Sequence, residues 1–252
     1  MIRVIIQGIN GRMGKALCEL IEQRSDCRVV GGVDITPQSG AVPVAASLEE
    51  LNVEADVLID FSSPAATKAA LRFCHKNALP CVICTTGLDE EAELLLAETS
   101  GKTAVFKSAN MSLGINLLAE LAQRAAAALG ADYDIEIIEK HHHNKVDAPS
   151  GTALLLADEI NKVQQQPYTY VYDRHAVRQK RSRREIGLHA VRGGSIVGEH
   201  EILFCGPDEV ITLGHSAGSR CVFANGAVNA AVFLAGKAPG LYTMKDLMKE
   251  LL

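Results

Sequence analysis

The sequence lacks the features that mark membrane-spanning, secreted or nucleic-acid-binding proteins. No stretch approaches the roughly 18 consecutive apolar residues that a membrane-spanning helix needs. The apolar run in residues 1–6 is too short for a signal peptide and leads directly into a glycine loop. The formal net charge of −5 argues against non-specific binding to nucleic acid. We therefore expect neither a membrane nor a nucleic acid as a partner, and no secretion signal.

Cysteines are few, odd in number and irregularly spaced. Of the seven, only Cys81 and Cys84 have C-x-x-C spacing, and they lie within a strand-like run with no second such pair. No H-E-x-x-H motif is present, so neither of these zinc patterns occurs. We expect all seven cysteines to be reduced thiols in a cytoplasmic protein.

What the chain does contain is a core-forming share of apolar residues, 48%, and a regular alternation of patterns near its start. Residues 2–6 are apolar and β-branched, which predicts a buried strand. A glycine loop, a helical pattern and a second strand over residues 28–33 follow, and Asp34 stands at the end of that strand. This order is the layout of a dinucleotide-binding βαβ unit.

The loop reads Gly8-Ile9-Asn10-Gly11-Arg12-Met13-Gly14, with asparagine at the usual second glycine. Asparagine tolerates positive φ better than most residues, so the turn can still close. We interpret the loop as a pyrophosphate site at a helix N-terminus; the alternative is an ordinary tight turn. Asp34 lies where an acid would bind the adenosine ribose, and no arginine follows it to hold a 2′-phosphate. This favours NADH over NADPH, although Arg12 or Lys15 could substitute for that arginine.

The alternation of strands and helices continues to about residue 111 and predicts a parallel Rossmann-type sheet. A long helix over residues 113–129 and a strand over residues 135–139 follow. Residues 164–185 have no clear period, so we predict a long loop there. Beyond them come four β-like runs, which predict a mostly antiparallel sheet in an α+β domain: residues 188–191, 195–197, 201–204 and 210–213. Helical patterns over residues 221–235 and 241–252 close the chain.

This pattern divides the chain into two domains. Residues 1–111 and 219–252 would form the dinucleotide-binding domain. Residues 112–218 would form a second domain that binds substrate.

The most distinctive stretch is residues 139–153, where three histidines and Lys145 precede a Pro-Ser-Gly-Thr turn and a helical pattern. Histidine exchanges protons near neutral pH, and lysine adds a fixed positive charge. Ser150, Gly151 and Thr152 would open the helix and offer N–H and hydroxyl groups to a carboxylate. A metal site is less favoured, because adjacent residues of an extended strand point to opposite faces. A solvated loop before a capped helix is the other alternative.

Residues 139–153 resemble the signature of the 4-hydroxy-tetrahydrodipicolinate reductase (dihydrodipicolinate reductase) family. The resemblance extends to residues 8–14, 85–87, 108–111 and 223–227. It implies an NAD(P)H-dependent reductase that acts on a small cyclic dicarboxylate in lysine biosynthesis by the diaminopimelate route. It also implies a homotetramer built through the sheet of the second domain.

The roles of site residues follow from this resemblance and, for Ser150, from the helix start. Cys84 departs from the family pattern, in which glycine is common at that position. The expected catalytic residues are His141 and Lys145. The expected substrate-binding residues are His142, Lys145, Ser150, Gly151 and Thr152. The expected cofactor-binding residues are Gly8, Ile9, Asn10, Gly11, Arg12, Met13, Asp34, Cys84, Thr85, Thr86, Ser108, Ala109, Asn110 and Met111. No metal is expected.

Two other functions remain open at this point. A dinucleotide sensor would use the same glycine loop and a partner surface such as the basic run at residues 178–184, but it has no need of His141 and Lys145 together. Another amino- or imino-acid dehydrogenase would share the glycine loop but not the turn at residues 149–152.

Overall fold

The computed structural model describes residues 1–38 and 40–251. These residues divide into two compact units. Unit 1 comprises Met1–Leu113 and Cys221–Leu252, and unit 2 comprises Gly114–Arg220. None of the helices described is long and apolar enough to cross a membrane.

Unit 1 alternates strands and helices along the chain. Its strands are β1 (Ile2–Gln7), β2 (Cys27–Val33), β3 (Val44–Ala45), β4 (Val57–Asp60), β5 (Cys81–Ile83), β6 (Ala104–Lys107) and β12 (Gly240–Tyr242). Its helices are α1 (Arg12–Glu22), α2 (Pro64–Asn77), α3 (Glu90–Ser100), α6 (Cys221–Leu234) and α7 (Met244–Leu251), together with the first residue of α4 (Leu113–Leu129).

The strands of unit 1 form a parallel sheet in the order β12-β6-β5-β4-β1-β2-β3. The chain runs outward from β1 in both directions, which is the doubly wound arrangement. Apolar residues of α1 and α6 pack on one face of this sheet. A second apolar cluster includes residues of α2 and α3. The Rossmann-type domain predicted from the sequence is confirmed.

Unit 2 contains most of α4 and the helix α5 (Gly151–Asn161), with a short 3-10 turn at Gly130–Asp132. Its strands are β7 (Asp134–His141), β8 (Thr169–Val171), β9 (Glu185–Arg192), β10 (Glu199–Cys205) and β11 (Val210–Ser216). They form one sheet in the order β11-β10-β7-β9-β8. Apolar residues of α4 and α5 pack with one face of it.

The prediction of a mostly antiparallel sheet is wrong. β10 pairs antiparallel with β7 and β11, but β9 pairs parallel with both β7 and β8. The sheet is therefore mixed, because the chain passes through α5 before it returns beside β7. Residues 195–197, predicted as a strand, lie in the connection between β9 and β10.

Two other segments also differ from their predictions. The predicted loop at residues 164–185 contains β8 and the first residue of β9. The predicted helix at residues 241–252 begins three residues later, because β12 pairs with β6 at the edge of the sheet. Leu252 lies outside the described residues.

Candidate active site

Helix α1 begins at a glycine loop whose backbone packs too closely for side chains. Gly8 has a φ of +81°, and a Cβ there would lie 2.5 Å from the carbonyl oxygen of Phe61. A Cβ on Gly14 would lie 2.2 Å from the carbonyl oxygen of Gly8. Gly11 is the N-cap and has no side chain to bond the first N–H groups of the helix. Those N–H groups are available to an anion such as a pyrophosphate.

Asp34 follows β2 and ties the glycine loop to the next loop. Its Oδ2 accepts a hydrogen bond from the N–H of Asn10 (3.0 Å), and its Oδ1 accepts one from the N–H of Thr36 (3.2 Å). Asn10 Nδ2 donates to the carbonyl oxygen of Thr36 (2.7 Å). The asparagine in place of the usual glycine is therefore part of the framework that positions Asp34.

A cavity of about 390 Å³ opens beside Asp34, at the carboxyl ends of β1, β2 and β4. Parallel α/β sheets bind nucleotides at this edge, and the volume lies within the usual range for ligand sites. A pyridine dinucleotide fits this combination of features: the glycine backbone, the open start of α1, the carboxylate of Asp34 and the cavity. The residues that line the cavity include Gln7, Gly8, Asp34, Ile35, Ser62 and Ser63.

The other predicted cofactor segments lie at the same edge of the sheet. Cys84, Thr85 and Thr86 follow β5, and the segment at residues 108–111 follows β6. Because β4, β5 and β6 are parallel neighbours, their carboxyl ends meet. Burial raises the pKa of the Cys84 thiol well above its ordinary value, so this side chain is a neutral thiol rather than a reactive thiolate.

The segment after β6 is held by α6. Gly226 on that helix packs directly on the segment, and a Cβ there would lie 1.6 Å from the carbonyl oxygen of Met111. Within the segment, Ser108 Oγ donates to the carbonyl oxygen of Asn110 (2.7 Å). The family-like motifs at residues 108–111 and 223–227 are thus in contact with each other.

Asp60, the last residue of β4, lies outside the residues that the sequence pattern predicts for this site. Its fully buried carboxylate accepts hydrogen bonds from the hydroxyl groups of Ser62, Thr67 (2.5 Å) and Thr85 (3.1 Å). Burial raises the pKa of Asp60, and these hydroxyl donors oppose the rise. Asp60 therefore joins the loop that lines the cavity to the Thr85 loop.

In unit 2, a polar layer lies just beyond the apolar core of the sheet. Strand β7 alternates in burial, so Ile137, Glu139 and His141 face the side covered by helices. The strand register pairs Glu139 with His200 on β10 and His141 with Arg192 on β9. Strand pairing alone brings these four ionisable side chains together.

His141 is oriented by the buried Glu139. The His141 Nδ1 lies 2.5 Å from Glu139 Oε2, and the Arg192 guanidinium donates two hydrogen bonds of 2.7 Å to the same carboxylate. Burial would raise the pKa of Glu139, but Arg192 and His141 together outweigh burial and hold it below its ordinary value. Glu139 is therefore ionised and acts as an acceptor, so the proton lies on Nδ1 of His141. The other ring nitrogen, Nε2, faces Gly198, where a Cβ would lie 3.0 Å away.

Ser150 connects this layer to the start of α5. As the N-cap, its Oγ accepts a hydrogen bond from the N–H of Ala153 (3.2 Å), and it also lies 3.1 Å from Nε2 of His200. The His200 ring packs edge-on against His141, with centroids 5.2 Å apart. Burial, reinforced by the nearby His141, lowers the pKa of His200 to about 4.

The remaining predicted substrate residues lie in the loop between β7 and α5 or at the helix start. Lys145 Nζ lies 2.8 Å from Asp147 Oδ1, and this pairing lowers the pKa of Asp147. His142 Nε2 accepts a hydrogen bond from Arg220 (3.3 Å); burial and then Arg220 lower its pKa. Gly151 is exposed with open space at its Cβ position, and Thr152 follows it in the first turn of α5.

The basic run at residues 178–184 is partly absorbed by the sheet. Arg181 donates to Asp134 (2.7 Å) and Glu136 (2.9 Å) on β7 and to the carbonyl oxygen of Glu185 (2.7 Å). Arg183 pairs with Asp132. These contacts anchor the connection into β9 and give the central arginine of the run a structural role.

Glu139, Arg192 and His200 also lie outside the residues predicted from the sequence. Glu139 carries a local signal, since it stands two residues before His141 and therefore on the same face of a strand. Arg192 and His200 carry none, because their proximity depends on which strands pair and in what register.

A Rossmann-type unit with a dinucleotide site, joined to a unit with an oriented histidine beside a lysine and an open helix start, defines a pyridine-nucleotide-dependent oxidoreductase. Residues 2–111 match the family model for the dihydrodipicolinate reductase N-terminus, and residues 114–248 match the one for the C-terminus. The chain belongs to the dihydrodipicolinate reductase family.

Individual relatives agree along the full chain. The chain is 51% identical to a 4-hydroxy-tetrahydrodipicolinate reductase from Caldanaerobacter subterraneus subsp. tengcongensis, over 99% of each chain. It is 45% identical to one from Clostridium tetani, over 99% of this chain and 98% of the other. A dipicolinate-bound dihydrodipicolinate reductase from Paenisporosarcina sp. TG-14 superposes with a TM-score of 0.79 at 28% identity and covers 96% of this chain and 97% of that one.

We expect His200 to make the protein less stable in mild acid. Its pKa in the folded state, about 4, lies below the roughly 6.5 of an unfolded histidine. Between pH 4 and pH 6.5, about these two pKa values, His200 is therefore protonated in the unfolded chain but not in the folded one. The free energy of unfolding should therefore fall as the pH is lowered from about 6.5 to about 4, by up to about 3 kcal/mol from this residue. Urea unfolding at a fixed protein concentration measures the slope.

The variant His200→Gln should flatten this pH dependence, and His175→Gln, a change at an exposed histidine, should leave it unchanged. Equal slopes for His200→Gln and the unchanged protein would contradict the assignment. Some slope should remain in the variant, because burial also lowers the pKa of His215.

Proposed function

We propose that this chain is an NAD(P)H-dependent reductase that converts 4-hydroxy-tetrahydrodipicolinate, by way of dihydrodipicolinate, to tetrahydrodipicolinate in the diaminopimelate route to lysine. Membership of the reductase family along both halves of the chain carries this conclusion. The cyclic dicarboxylate is consistent with the cationic loop and open helix start of unit 2. It is also consistent with the dipicolinate bound by the solved relative.

The residues of unit 2 divide the work of this reaction. His141, with its Nδ1 proton held by Glu139, acts as the general acid and base through Nε2. Lys145 donates a proton to the ring nitrogen or a neighbouring carbon, and its charge also holds a substrate carboxylate. Gly151 and Thr152 bind a carboxylate at the start of α5, where Ser150 is the cap, and His142 helps to orient the ring. The bound nicotinamide supplies the hydride.

Replacing either proton-transfer residue should reduce turnover strongly while the fold stays intact. We expect His141→Gln and Lys145→Ala each to lower kcat by about 100-fold or more, because each removes a proton-transfer group. Loss of NADH absorbance, with substrate made in place from aspartate semialdehyde and pyruvate by the preceding synthase, measures turnover.

Matched controls for these variants are available close by. His143→Gln changes the exposed neighbouring histidine, and Lys162→Ala removes a surface lysine that pairs with Glu159. Both should keep near-normal turnover. If His141→Gln and Lys145→Ala were as active as these controls, the assignment of roles would be wrong.

The cofactor we propose is NADH in preference to NADPH. Asp34 lines the cavity at the end of β2, and its carboxylate would repel a 2′-phosphate and bind ribose hydroxyl groups. The next residue, Ile35, is 92% exposed and lines the same cavity, and it offers no positive charge to a phosphate. Arginine in this position would supply one.

Steady-state kinetics with both cofactors tests this preference. We expect a higher kcat/KM with NADH, and we expect Ile35→Arg to raise the efficiency with NADPH, because a guanidinium binds phosphate well. The exposed position makes this substitution harmless to folding, and Ile35→Gln provides an uncharged control. If kcat/KM of the wild-type protein were about tenfold or more higher with NADPH than with NADH, a difference of about 1.4 kcal/mol, the proposal would be wrong.

We further propose that the protein is a cytoplasmic homotetramer assembled through the sheet of unit 2. The sheet face opposite α4 and α5 carries exposed apolar side chains, Val191 (45%) and Val210 (58%), which supports such an interface. The free thiols of all seven cysteines are consistent with a reducing compartment.

Light scattering should therefore give a tetramer for the unchanged protein. Val210→Asp should shift it to smaller species, because a carboxylate would be buried without a partner in the interface. Leu94→Asp, at an exposed leucine of α3, should leave assembly unchanged. A monomer for the unchanged protein would remove this proposal.

A further inference from the structure

Glu139 is a buried charge that contacts two of the proposed functional segments and Arg192. Its Oε2 lies 2.5 Å from His141 Nδ1 and accepts from Arg192 Nη1 (2.7 Å). Its Oε1 accepts from Arg192 Nη2 (2.7 Å) and from the N–H of Ser150 (3.0 Å). One carboxylate therefore contacts both the proton-transfer histidine and the residue that caps the carboxylate-binding helix.

The stability of the core does not explain this arrangement. A buried ion pair gives little net stability compared with apolar side chains of similar volume, because both charges must leave water. An apolar residue at position 139 would continue the alternation of Ile135 and Ile137 on the same face of β7. A glutamate is needed there because its two oxygen atoms accept hydrogen bonds that position His141, Arg192 and Ser150.

Arg192 extends the same network to the lysine loop. Its Nη2 donates to the carbonyl oxygen of Asp147 (2.5 Å), and the side chain of Asp147 pairs with Lys145. The ion pair between Glu139 and Arg192 thus contacts the ring of His141, the loop of Lys145 and the start of α5. These are the elements that would have to hold fixed distances around a small ring with a carboxylate at each end.

We propose that Glu139 and Arg192 are positioning residues for the reduction, and that their ion pair sets the distance from the proton-exchanging Nε2 of His141 to the carboxylate-binding start of α5. Glu139 accepts the hydrogen bond of His141 Nδ1, which leaves Nε2, packed close to Gly198, as the nitrogen that exchanges a proton with the substrate. Arg192 holds the Glu139 carboxylate in plane by its two parallel hydrogen bonds and fixes the Lys145 loop through Asp147. This inference rests on the proposed function.

The isosteric variant Glu139→Gln separates the contacts of the two carboxylate oxygen atoms. With its amide oxygen in the place of Oε1, the variant can still accept from Ser150 and from Arg192 Nη2. Its NH₂ group takes the place of Oε2, where it meets His141 Nδ1, favours the wrong tautomer and removes the acceptor of Arg192 Nη1. We expect kcat to fall by about 100-fold or more, and we expect the affinity for dipicolinate, measured calorimetrically with saturating NADH, to stay close to that of the unchanged protein. A role in folding alone would not separate kcat from ligand affinity.

Arg192→Lys is the second variant and decides the matter if Glu139→Gln fails to fold. Lysine keeps the positive charge but cannot make two parallel hydrogen bonds to Glu139 and also reach the carbonyl oxygen of Asp147. Both kcat and the affinity for dipicolinate should fall. Glu136→Gln is the matched control, since Glu136 lies on the same strand and also pairs with arginine and histidine, outside this network.

The outcomes distinguish this inference from the proposed function. If His141→Gln is inactive while Glu139→Gln and Arg192→Lys both match Glu136→Gln in kcat and in dipicolinate affinity, the positioning role is wrong and the proposed function stands. If His141→Gln itself keeps normal turnover, the assigned roles of the proposed function are wrong instead. Loss of kcat with retained affinity in Glu139→Gln, together with loss of both in Arg192→Lys, supports the inference.

Discussion

A carboxylate that is removed from water must find donors, and this requirement organises the chemistry of both units. Asp60 finds them in hydroxyl groups from three segments of unit 1. Glu139 finds them in an arginine, a histidine and a backbone N–H of unit 2. In each case the cost of an unsatisfied buried charge forces loops that are distant in sequence to adopt one arrangement. The segments expected to bind cofactor and substrate are held by these contacts.

The two carboxylates differ in what their partners allow. The hydrogen-bond donors around Asp60 are neutral hydroxyl groups, and burial opposes its negative charge. Its hydrogen bonds connect the loops that follow β4 and β5. Glu139 has a guanidinium, which keeps it ionised, and its Oε2 accepts from Arg192 and also orients the ring of His141. The first arrangement suits a site that must only hold a shape, and the second suits one that must also exchange a proton.

Much of unit 1 follows from local sequence pattern, because a βαβ unit is assembled from neighbouring segments. For this reason the sequence predicts the glycine loop, Asp34 and the caps of the helices. The sequence does not predict β12, because its three residues form a strand only by pairing with β6, which lies far earlier in the chain. The mixed sheet of unit 2 escapes prediction in the same way, since the parallel pairing of β7 with β9 depends on the path through α5.

In the candidate site, too, the residues of one local motif are predictable from the sequence, and those brought together by strand pairing are not. His141, Lys145 and the turn that begins α5 lie within one continuous motif, so residue chemistry and family resemblance together indicate them. Arg192 and His200 reach the motif through strand register, and Asp60 reaches the cofactor loops through the order of strands in the sheet. No spacing along the chain encodes these relations.

The core of unit 1 is built from two stretches separated by the whole of unit 2, and this affects how the chain emerges during synthesis. Ala224, Ala227, Ala230 and Leu234 of α6 pack into the same apolar cluster as β1 and β4. Until α6 has been made, α1 covers only part of that face of the nascent sheet while unit 2 is translated. The part of the dinucleotide-binding domain that is made first, Met1–Leu113, therefore keeps apolar surface exposed during that interval, and we expect chaperones that shield apolar surface to bind it.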